Sequence, residues 1–407
     1  MKPADKSTVR FADSWASVHF DLLRGVAAIL VLLEHWRNLF FVDFPEIIAH
    51  RGWFALPYVL SSAGHQSVVC FFILSGYFIG GTVFRSVQRR QWKWGGYLLR
   101  RLVRLWIVLL PTLLLCLLWD HLGITLGHSP ALYSGHVNNH IIGDVPSLLT
   151  PRIFVGNLFF VQTILTPVFG TDGALWSLAY EFWYYILFPL AVLCFWRSTT
   201  IVQRMACGLL FAITAWFVRG PILEYFPMWL AGAALFKVPA PRFAPRIGHT
   251  VRLIATAIYF AIFFVIGHRH ELPPLLNDYI LATATLIYLW ILLSHREAFR
   301  PTQLHVRASR ETARFSFTLY AAHTPILVLL VSLLLGDSRW YPTPIHLLAG
   351  FGILIAVLGF AWGLAFITEF RTDSVRIGIE KLLGMSSTAP DLPSNPLVAP
   401  SVSDSRQ

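Results

Sequence analysis

Apolar runs separated by short polar segments make up most of the chain. Ten of these runs approach the roughly 20 residues that an α-helix needs to cross a bilayer. We therefore predict an all-α polytopic membrane protein with about ten transmembrane helices. The predicted spans are residues 21–42, 66–84, 102–120, 174–196, 203–218, 222–236, 253–267, 278–294, 315–335 and 346–367.

One further apolar run, "IFVGNLFFVQTILTPVF" at residues 153–169, is ambiguous. It is apolar enough to form a short span, but a crossing here would reverse the orientation of every later segment. Most of the later basic segments would then lie outside, against the positive-inside rule. We therefore interpret residues 153–169 as re-entrant or interfacial, with a spanning helix as the alternative.

The basic residues are unevenly distributed between the predicted spans. Of the 32 Lys and Arg residues, 25 lie in six alternate segments, whereas each of the five intervening segments holds one. Cytoplasmic loops are enriched in Lys and Arg, so this pattern predicts cytoplasmic termini and an even number of spans. It also accounts for the net charge of +11 without nucleic-acid binding. The basic segments are residues 2–10, 85–104, 197–204, 237–252, 295–314 and 371–406.

Composition supports a membrane protein with one domain. The chain has 407 residues, of which 56% are hydrophobic and 13% charged, whereas about a quarter of the residues in soluble domains are charged. We assign residues 1–370 to a transmembrane domain and residues 371–407 to a cytoplasmic tail. The tail is rich in Ser and Pro and is predicted to be disordered from about residue 386.

Neither the cysteines nor the histidines indicate a metal site. The four cysteines are scattered in apolar runs and are interpreted as small buried hydrophobic residues. Segment 121–151 holds four histidines without the helical spacing or Cys partners of a zinc site, so no metal is predicted. These histidines are His121, His128, His136 and His140.

The first run, "FDLLRGVAAILVLLEHW" at residues 20–36, carries ionisable side chains. Arg24 and His35 are eleven residues apart, about 16 Å along a helix and within roughly 20° of the same face. Such side chains are costly inside a membrane and by default mark functional sites. The alternative is that Arg24 anchors the helix at the cytoplasmic surface and His35 packs in the core. Adjacent helix residues diverge by about 100°, so Glu34 is not expected to contact His35.

Five stretches of the chain resemble, in order, the motifs of the acyltransferase-3 family of bacterial membrane acyltransferases. The first run is similar to that family's first helix, in which Arg is followed after ten residues by His. The other four motifs are apolar-Ser-Gly-aromatic, Arg-x-x-Arg, Trp-Ser-Leu-x-x-Glu and Ser-x-x-x-Tyr-x-x-His-x-Pro. Here they fall at Ser75, Gly76 and Tyr77; Arg101 and Arg104; Trp176, Ser177 and Glu181; and Ser316, Tyr320, His323 and Pro325.

The resemblance implies roles for these residues. His35, Glu181 and His323 would be catalytic, with His35 as the general base, because His is the side chain best suited to accept a proton near neutral pH. Three arginines would bind the phosphates of an acyl donor, since guanidinium groups pair with phosphate oxygens through forked donors. These are Arg24, Arg101 and Arg104. The implied substrate-binding residues are Ser75, Tyr77, Trp176, Ser177, Ser316 and Tyr320.

Simpler alternatives to these roles remain open. The arginines could serve as topological anchors, Gly76 could allow close helix packing, and His323 could have an orienting or packing role.

As a whole, the resemblance implies a membrane-bound O-acyltransferase. It would move an acyl group, in this family usually acetyl, from cytoplasmic acyl-CoA to a hydroxyl of a surface or extracellular polysaccharide or its lipid-linked precursor. Acyl-CoA, such as acetyl-CoA, would be a cosubstrate, with no tightly bound cofactor. The family is found as multi-pass proteins of the bacterial inner membrane, where the polysaccharide-synthesis machinery is a further expected partner.

A secondary transporter is the main alternative, because ten helices interrupted by Gly and Pro and carrying buried charges also fit that class. The ordered motif set and the lack of a visible internal repeat argue against it. A non-catalytic scaffold in a polysaccharide-export complex is a third interpretation. The sequence leaves open the acceptor sugar, acetyl versus succinyl or a longer acyl group, a covalent intermediate, and the oligomeric state.

Overall fold

The computed structural model describes residues 15–134, 144–197, 199–267, 271–294, 303–336 and 338–385. Helices account for most of this part of the chain, and it contains no β-strand. The helices are α1 Trp15–Phe40, α2 Arg51–Leu60, α3 Gly64–Gln88, α4 Trp94–Leu126, α5 Pro130–Tyr133, α6 Val145–Leu148, α7 Pro151–Leu158, α8 Trp176–Phe195, α9 Ile201–Val218, α10 Pro221–Leu235, α11 Pro245–Ile266, α12 Pro274–Leu292, α13 Gln303–Arg314, α14 Ser316–Leu334, α15 Pro344–Ile367 and α16 Thr372–Leu382.

The predicted all-α polytopic fold is confirmed. Within the described ranges, nine helical segments are long and apolar enough to cross a membrane. The remaining predicted span, residues 222–236, is the 15-residue helix α10, which at about 22 Å is shorter than the other spans. Each of the ten predicted spans therefore corresponds to a helix, whereas the orientation of the termini stays a prediction.

Residues 153–169 do not form a spanning helix. Helix α7 has eight residues, about 12 Å, and is followed by turns in which Phe160 and Thr163 have positive φ. The side-chain amide of Asn157 holds these turns against α7, donating to the carbonyl oxygen of Pro167 at 3.0 Å and accepting from the backbone N–H of Phe169 at 3.1 Å. The segment thus folds back on itself, in agreement with the re-entrant or interfacial interpretation.

Helix α3 lies at the centre of the packing, with contacts to α1, α8, α10 and α12. Its most extensive contact is with α10, where Gly76 and Gly80 face the α10 backbone. A Cβ atom at Gly76 would lie 3.0 Å from the carbonyl carbon of Trp229 and 3.1 Å from the backbone nitrogen of Ala233. Small residues four apart let membrane helices approach closely, so the packing interpretation of Gly76 is confirmed.

Helix α1 packs against α3, α13 and α14, and its C-terminal part also meets α15. The indole N–H of Trp36 donates to the carbonyl oxygen of Gly350 at 3.0 Å, which ties α1 to α15. Because α1 and α14 run side by side, side chains from distant parts of the sequence meet between them.

Proline begins several of the helices. Pro221, Pro245, Pro274 and Pro344 each stand at the first position of a helix. Proline has a φ suited to this position, and the N–H that it lacks would have no helical partner there. These prolines therefore define the starts of α10, α11, α12 and α15.

The ordered structure continues beyond the predicted domain boundary at residue 370. Helix α16 packs against α4, and Arg376 lies 3.3 Å from the carboxylates of both Asp373 and Glu380. Glu380 is 5% exposed, so this helix belongs to the folded body rather than to a free tail. The segment predicted to be disordered, from about residue 386, lies outside the described residues.

Candidate functional site

The two predicted functional histidines meet between α1 and α14. Nδ1 of His35 lies 2.6 Å from Nε2 of His323, with the ring centroids 4.9 Å apart and an angle of 11° between the ring planes, so the two rings meet edge to edge in nearly one plane. His323 is 1% exposed. The sequence singled out both residues, but it did not predict that they form a pair.

Backbone carbonyls fix the proton positions in this pair. Nδ1 of His323 lies 3.0 Å from the carbonyl oxygen of Leu319 and 2.9 Å from that of Tyr320. A carbonyl oxygen only accepts, so Nδ1 of His323 carries a proton, and Nε2 of the neutral ring is an acceptor. His35 must then donate through Nδ1–H, which makes its own Nε2 the nitrogen with a lone pair. In this tautomer, His35 is poised to act as a base.

The turn of α14 before His323 is tied to the start of α8. The hydroxyl of Tyr320 donates to the carbonyl oxygen of Ala174 at 3.0 Å and lies 2.7 Å from the hydroxyl of Ser177. The ring of Trp176, beside Ser177, lies edge-on to that of Tyr180, with centroids 4.9 Å apart. The structure therefore places Ser177 with Tyr320, one turn before His323, whereas the ring of Trp176 packs in an aromatic cluster with Phe72 and Tyr225.

The carboxylate of Glu181 accepts hydrogen bonds from two hydroxyl groups of the protein. Its Oε1 accepts from the hydroxyl of Ser75 at 2.9 Å and from that of Tyr185 in a very short hydrogen bond. Ser75 in turn accepts from the indole N–H of Trp229 at 3.2 Å. A carboxylate inside a membrane needs a partner, and here α3 and the next turn of α8 supply it.

The predicted arginines gather at the end of the site opposite the histidines. Arg24 is 7% exposed and donates from Nη2 to the carbonyl oxygen of Ala313 at 2.9 Å. The hydroxyl of Ser316 donates to the same carbonyl at 2.8 Å, so Ser316 lies beside Arg24. Arg24 is within electrostatic range of both Arg104 and Glu181, which joins this end to the Glu181 cluster.

Arg101 lies against two tyrosine rings. Its guanidinium carbon is 5.6 Å from the ring centroid of Tyr97 and 5.8 Å from that of Tyr185, the residue bonded to Glu181. Its buried Nε–H has no hydrogen-bond partner in the described part of the protein. A buried donor without a partner is costly, so this N–H is suited to an anionic ligand group.

Tyr77 is a predicted site residue that the structure places away from the histidine pair and the Glu181 cluster. Its ring packs edge-on against Phe20, at 5.3 Å, and against Phe236, at 5.9 Å. Ser75 and Tyr77 are two positions apart on α3 and therefore point about 160° apart. The Ser-Gly-Tyr motif thus contributes Ser75 to the Glu181 cluster, whereas Tyr77 faces a different part of the core.

Sequence reasoning missed several buried carboxylates. Glu369 accepts from the backbone N–H and the hydroxyl of Thr318, both at 3.0 Å, and is within electrostatic range of Arg24 and Arg104. Asp278 binds Nε2 of His65 at 2.9 Å and the hydroxyl of Tyr225 at 2.5 Å. The sequence did contain a signal for Asp278, because a carboxylate within an apolar run is expected to be buried and paired.

As expected, Glu34 does not pair with its neighbour His35. It accepts a short hydrogen bond from the backbone N–H of Gly64 at the start of α3.

Among the described residues, no group of three His, Cys, Asp or Glu side chains could hold a metal ion. His136 and His140 lie outside the described residues.

Comparison with known proteins supplies one match. The acyltransferase-3 family model, whose description is "acyltransferase domain", matches residues 18–366 of this chain. Comparison with the curated proteins and with the solved structures gave no significant match. The matched range runs from the start of α1 to the end of α15 and includes every residue of the candidate site predicted from the sequence.

Proposed function

Because the chain belongs to the acyltransferase-3 family, we propose that this membrane acyltransferase is an O-acyltransferase that uses acyl-CoA. In this proposal the acyl group, most simply acetyl, passes from cytoplasmic acyl-CoA to a hydroxyl of a surface or extracellular polysaccharide or of its lipid-linked precursor. The protein would act in the bacterial inner membrane beside the polysaccharide-synthesis machinery. The observation that carries this proposal is the His35–His323 pair, with its fixed tautomers.

The pair suits proton transfer from an acceptor hydroxyl. Nε2 of His35 accepts the proton as the hydroxyl oxygen attacks the thioester carbonyl carbon. The C–S bond then breaks, and the CoA sulfur takes the proton from His35. While His35 is charged, its Nδ1–H bond to Nε2 of His323 becomes a charge-assisted hydrogen bond, which is stronger than a neutral one. A positioned general base of this kind contributes about 10²–10⁴-fold to a rate.

The arginine end suits the donor. CoA carries a pyrophosphate and a further phosphate, which match forked, permanently charged guanidinium groups. Arg24, Arg101 and Arg104 lie near one another, and the Nε–H of Arg101 lacks a partner among the described residues. Arg24 and His35 are separated by about 16 Å along α1, a distance that a pantetheine arm can bridge. The donor's phosphates would therefore sit at the arginines and its thioester near His35.

The remaining site residues suit a carbohydrate acceptor. Ser177 and Tyr320 offer hydroxyls beside His323, and Trp176 offers an aromatic face. Glu181 lies between the arginines and α3, where its bonds to Ser75 and Tyr185 hold its carboxylate in place. We assign Glu181 to orienting the reacting groups rather than to proton abstraction.

Thioester turnover in proteoliposomes tests the proposed function. Purified wild-type protein is supplied with acetyl-CoA, and release of the free thiol is followed with and without His35→Ala. His346→Ala is the matched control, because His346 lies in the α14–α15 region, where its ring stacks on Trp340. We expect thiol release from wild type and from His346→Ala, and its loss in His35→Ala. Absence of both release and CoA binding in folded wild-type protein would overturn the proposal.

The arginines are tested by CoA binding. Arg101→Gln is compared with Arg90→Gln, which removes one charge from the same basic segment at an exposed position. We expect weaker binding of CoA only in Arg101→Gln. Equal CoA binding by the two variants would mean that Arg101 does not bind the donor and acts only as a topological anchor.

A further inference from the structure

A cavity of about 280 Å³ lies between α1, α11 and α12, outside the candidate site. Its lining is divided by chemistry. His19, His249 and Arg252 line one part, whereas Leu23, Val26 and Phe260 line another. Such a division suits a ligand with one polar and one apolar end.

The polar and apolar lining residues lie at different depths. Along α11, His249 and Arg252 come near the start of the helix, and Phe260 lies about 16 Å beyond His249. Along α1, His19 comes near the start, and Val26 lies about 10 Å deeper. The cavity is therefore cationic at the end of the helices that carries basic segment 237–252, and apolar towards the membrane interior.

This cavity is distinct from the candidate site. The lining residues of α1 lie on the side of the helix roughly 160° away from Arg24 and His35. Helix α1 therefore presents one face to the candidate site and the opposite face to this cavity.

The cavity also borders the lipid-facing surface. Helix α11 leaves large apolar side chains exposed, among them Leu253 at 58% and Ile258 at 54%. Exposed apolar side chains on a spanning helix face hydrocarbon, so a lipid chain can enter the cavity sideways from the bilayer. A water-soluble ligand would have no comparable access to the apolar part.

We propose that this cavity binds an anionic glycerophospholipid. The lipid phosphate lies at Arg252, with the imidazoles of His19 and His249 as further polar contacts, and an acyl chain extends past Val26 and Phe260. Basic pockets between membrane helices favour anionic headgroups, and each nearby Lys or Arg strengthens the attraction. The chain's own residues 1–14 fit less well, since they carry three basic and two acidic side chains and so have a net positive charge, unlike an anionic headgroup.

Native mass spectrometry of the purified full-length protein tests the proposal. Dioleoyl phosphatidylglycerol and dioleoyl phosphatidylcholine are the probes, because their acyl chains are identical and only the first carries net charge. We expect one phosphatidylglycerol bound per protein at concentrations where phosphatidylcholine does not bind. Arg252→Gln should weaken phosphatidylglycerol binding about fivefold, whereas Arg242→Gln, an exposed position in the same basic segment, should leave it within twofold.

A second variant tests the apolar part of the cavity without changing charge. Leu22→Trp fills the space beside Leu23 and should lower phosphatidylglycerol binding, with an unchanged melting temperature showing that the fold is intact. Equal binding of the two lipids, or equal effects of Arg252→Gln and Arg242→Gln, would overturn the proposal. So would binding of glycerol 3-phosphate as tightly as phosphatidylglycerol. Lipid binding that appears only after deletion of residues 2–14 would show that the chain itself fills the cavity, and would overturn it as well.

Discussion

The protons of the His35–His323 pair are ordered by the backbone. Both carbonyl oxygens near Nδ1 of His323 belong to its own helix, at positions 319 and 320. As long as α14 is intact, His323 therefore accepts from His35 rather than donating to it. In this arrangement His323 acts through His35, as a positioning residue.

This arrangement predicts how substitutions of the two histidines combine. His35→Ala should lower thioester turnover by about 10²–10⁴-fold, because the base is lost. His323→Ala should cost less, since the base remains but its tautomer is no longer fixed. The double variant should be no slower than His35→Ala alone, because residues that act as a unit are not additive. The measurement is the initial rate of thiol release from acetyl-CoA at several pH values.

The pH profile separates positioning from packing. Loss of positioning should change the pH dependence of the remaining activity in His323→Ala, whereas a packing defect would lower the amount of folded protein and leave the profile unaltered. A double variant that is slower than His35→Ala by the full His323→Ala factor would show two independent roles.

Asp172 is a second residue whose environment predicts a measurable effect. It is fully buried, and neither carboxylate oxygen has a hydrogen-bond partner among the described residues. Burial, with the Asp120 carboxylate nearby, raises the pKa of Asp172 well above its ordinary value of 3.8. The folded protein therefore keeps a proton on Asp172 at pH values where the unfolded chain has released it.

Since the folded state then binds more protons, this group's contribution to stability falls as the pH rises above about 4. The free energy of unfolding should decrease by up to about 1.4 kcal/mol per pH unit, until the folded carboxyl also ionises. Asp172→Asn should remove this dependence, with equal stability at pH 4 and higher stability than wild type at pH 8. Thermal unfolding in detergent, followed by tryptophan fluorescence, measures this. A variant less stable than wild type at pH 8 would contradict the assignment.

At the residue scale, the sequence predicted what a single helix determines. Arg24 and His35 share a face because the helix repeat fixes their spacing. The sequence could not pair His35 with His323, which are 288 positions apart, because that contact depends on how α1 packs against α14. The same holds for Glu181, whose partner Ser75 comes from α3.

At the scale of elements, the contact between α3 and α10 determines where Ser75 lies. Trp229 both contacts the α3 backbone at Gly76 and donates to Ser75. The close approach of these helices therefore positions a residue bonded to Glu181. Gly76 and Ser75 of the motif therefore act together, because Gly76 allows the close contact with α10 and that contact positions Ser75.

Gly76→Ala should destabilise the protein, because its Cβ would overlap the carbonyl oxygen of Trp229. Overpacking of this kind costs about 1–3 kcal/mol. Gly359→Ala is the matched control, since a Cβ at that position in α15 meets no atom within 4 Å. It should be neutral or slightly stabilising, as Ala favours helix more than Gly does. The comparison uses melting temperatures of the two variants in the same detergent; equal values would mean that α3 and α10 can separate without cost.

Hydrophobic runs predicted the spanning helices well because length and apolarity alone define them. Shorter elements escaped prediction for physical reasons. Helix α13 is polar and amphipathic, and α16 lies in the segment that the sequence analysis assigned to a cytoplasmic tail. Both form because they pack against helices distant in sequence, α13 against α1 and α16 against α4. The amphipathic period of these two segments was an available signal for a helix, whereas the helices that they pack against could not be inferred from sequence alone.

For the whole molecule, the charges buried between the helices balance one another. Arg24 lies within electrostatic range of Asp21, Glu369 and Glu181, and Glu369 within range of Arg104 as well. Ionisable residues inside a membrane are generally paired because an isolated charge is costly there. Opposite charges contributed by α1, α4, α8 and the end of α15 thus offset the cost of gathering arginines at one end of the site.

The orientation of every segment after α10 depends on this helix, which at 15 residues is the shortest helix observed at a predicted span. If α10 crosses, aided by local bilayer thinning, basic segment 237–252 is cytoplasmic; if it does not, that segment lies outside. Single cysteines at Ser147, Arg197 and Arg242, in a background whose native cysteines are replaced by alanine, decide between these topologies with a membrane-impermeant maleimide. We expect labelling of intact cells at position 147 only, with 197 and 242 reacting after permeabilisation. Labelling of position 242 in intact cells, with 197 still protected, would show that α10 does not cross and would reverse the predicted orientation of the helices that follow it.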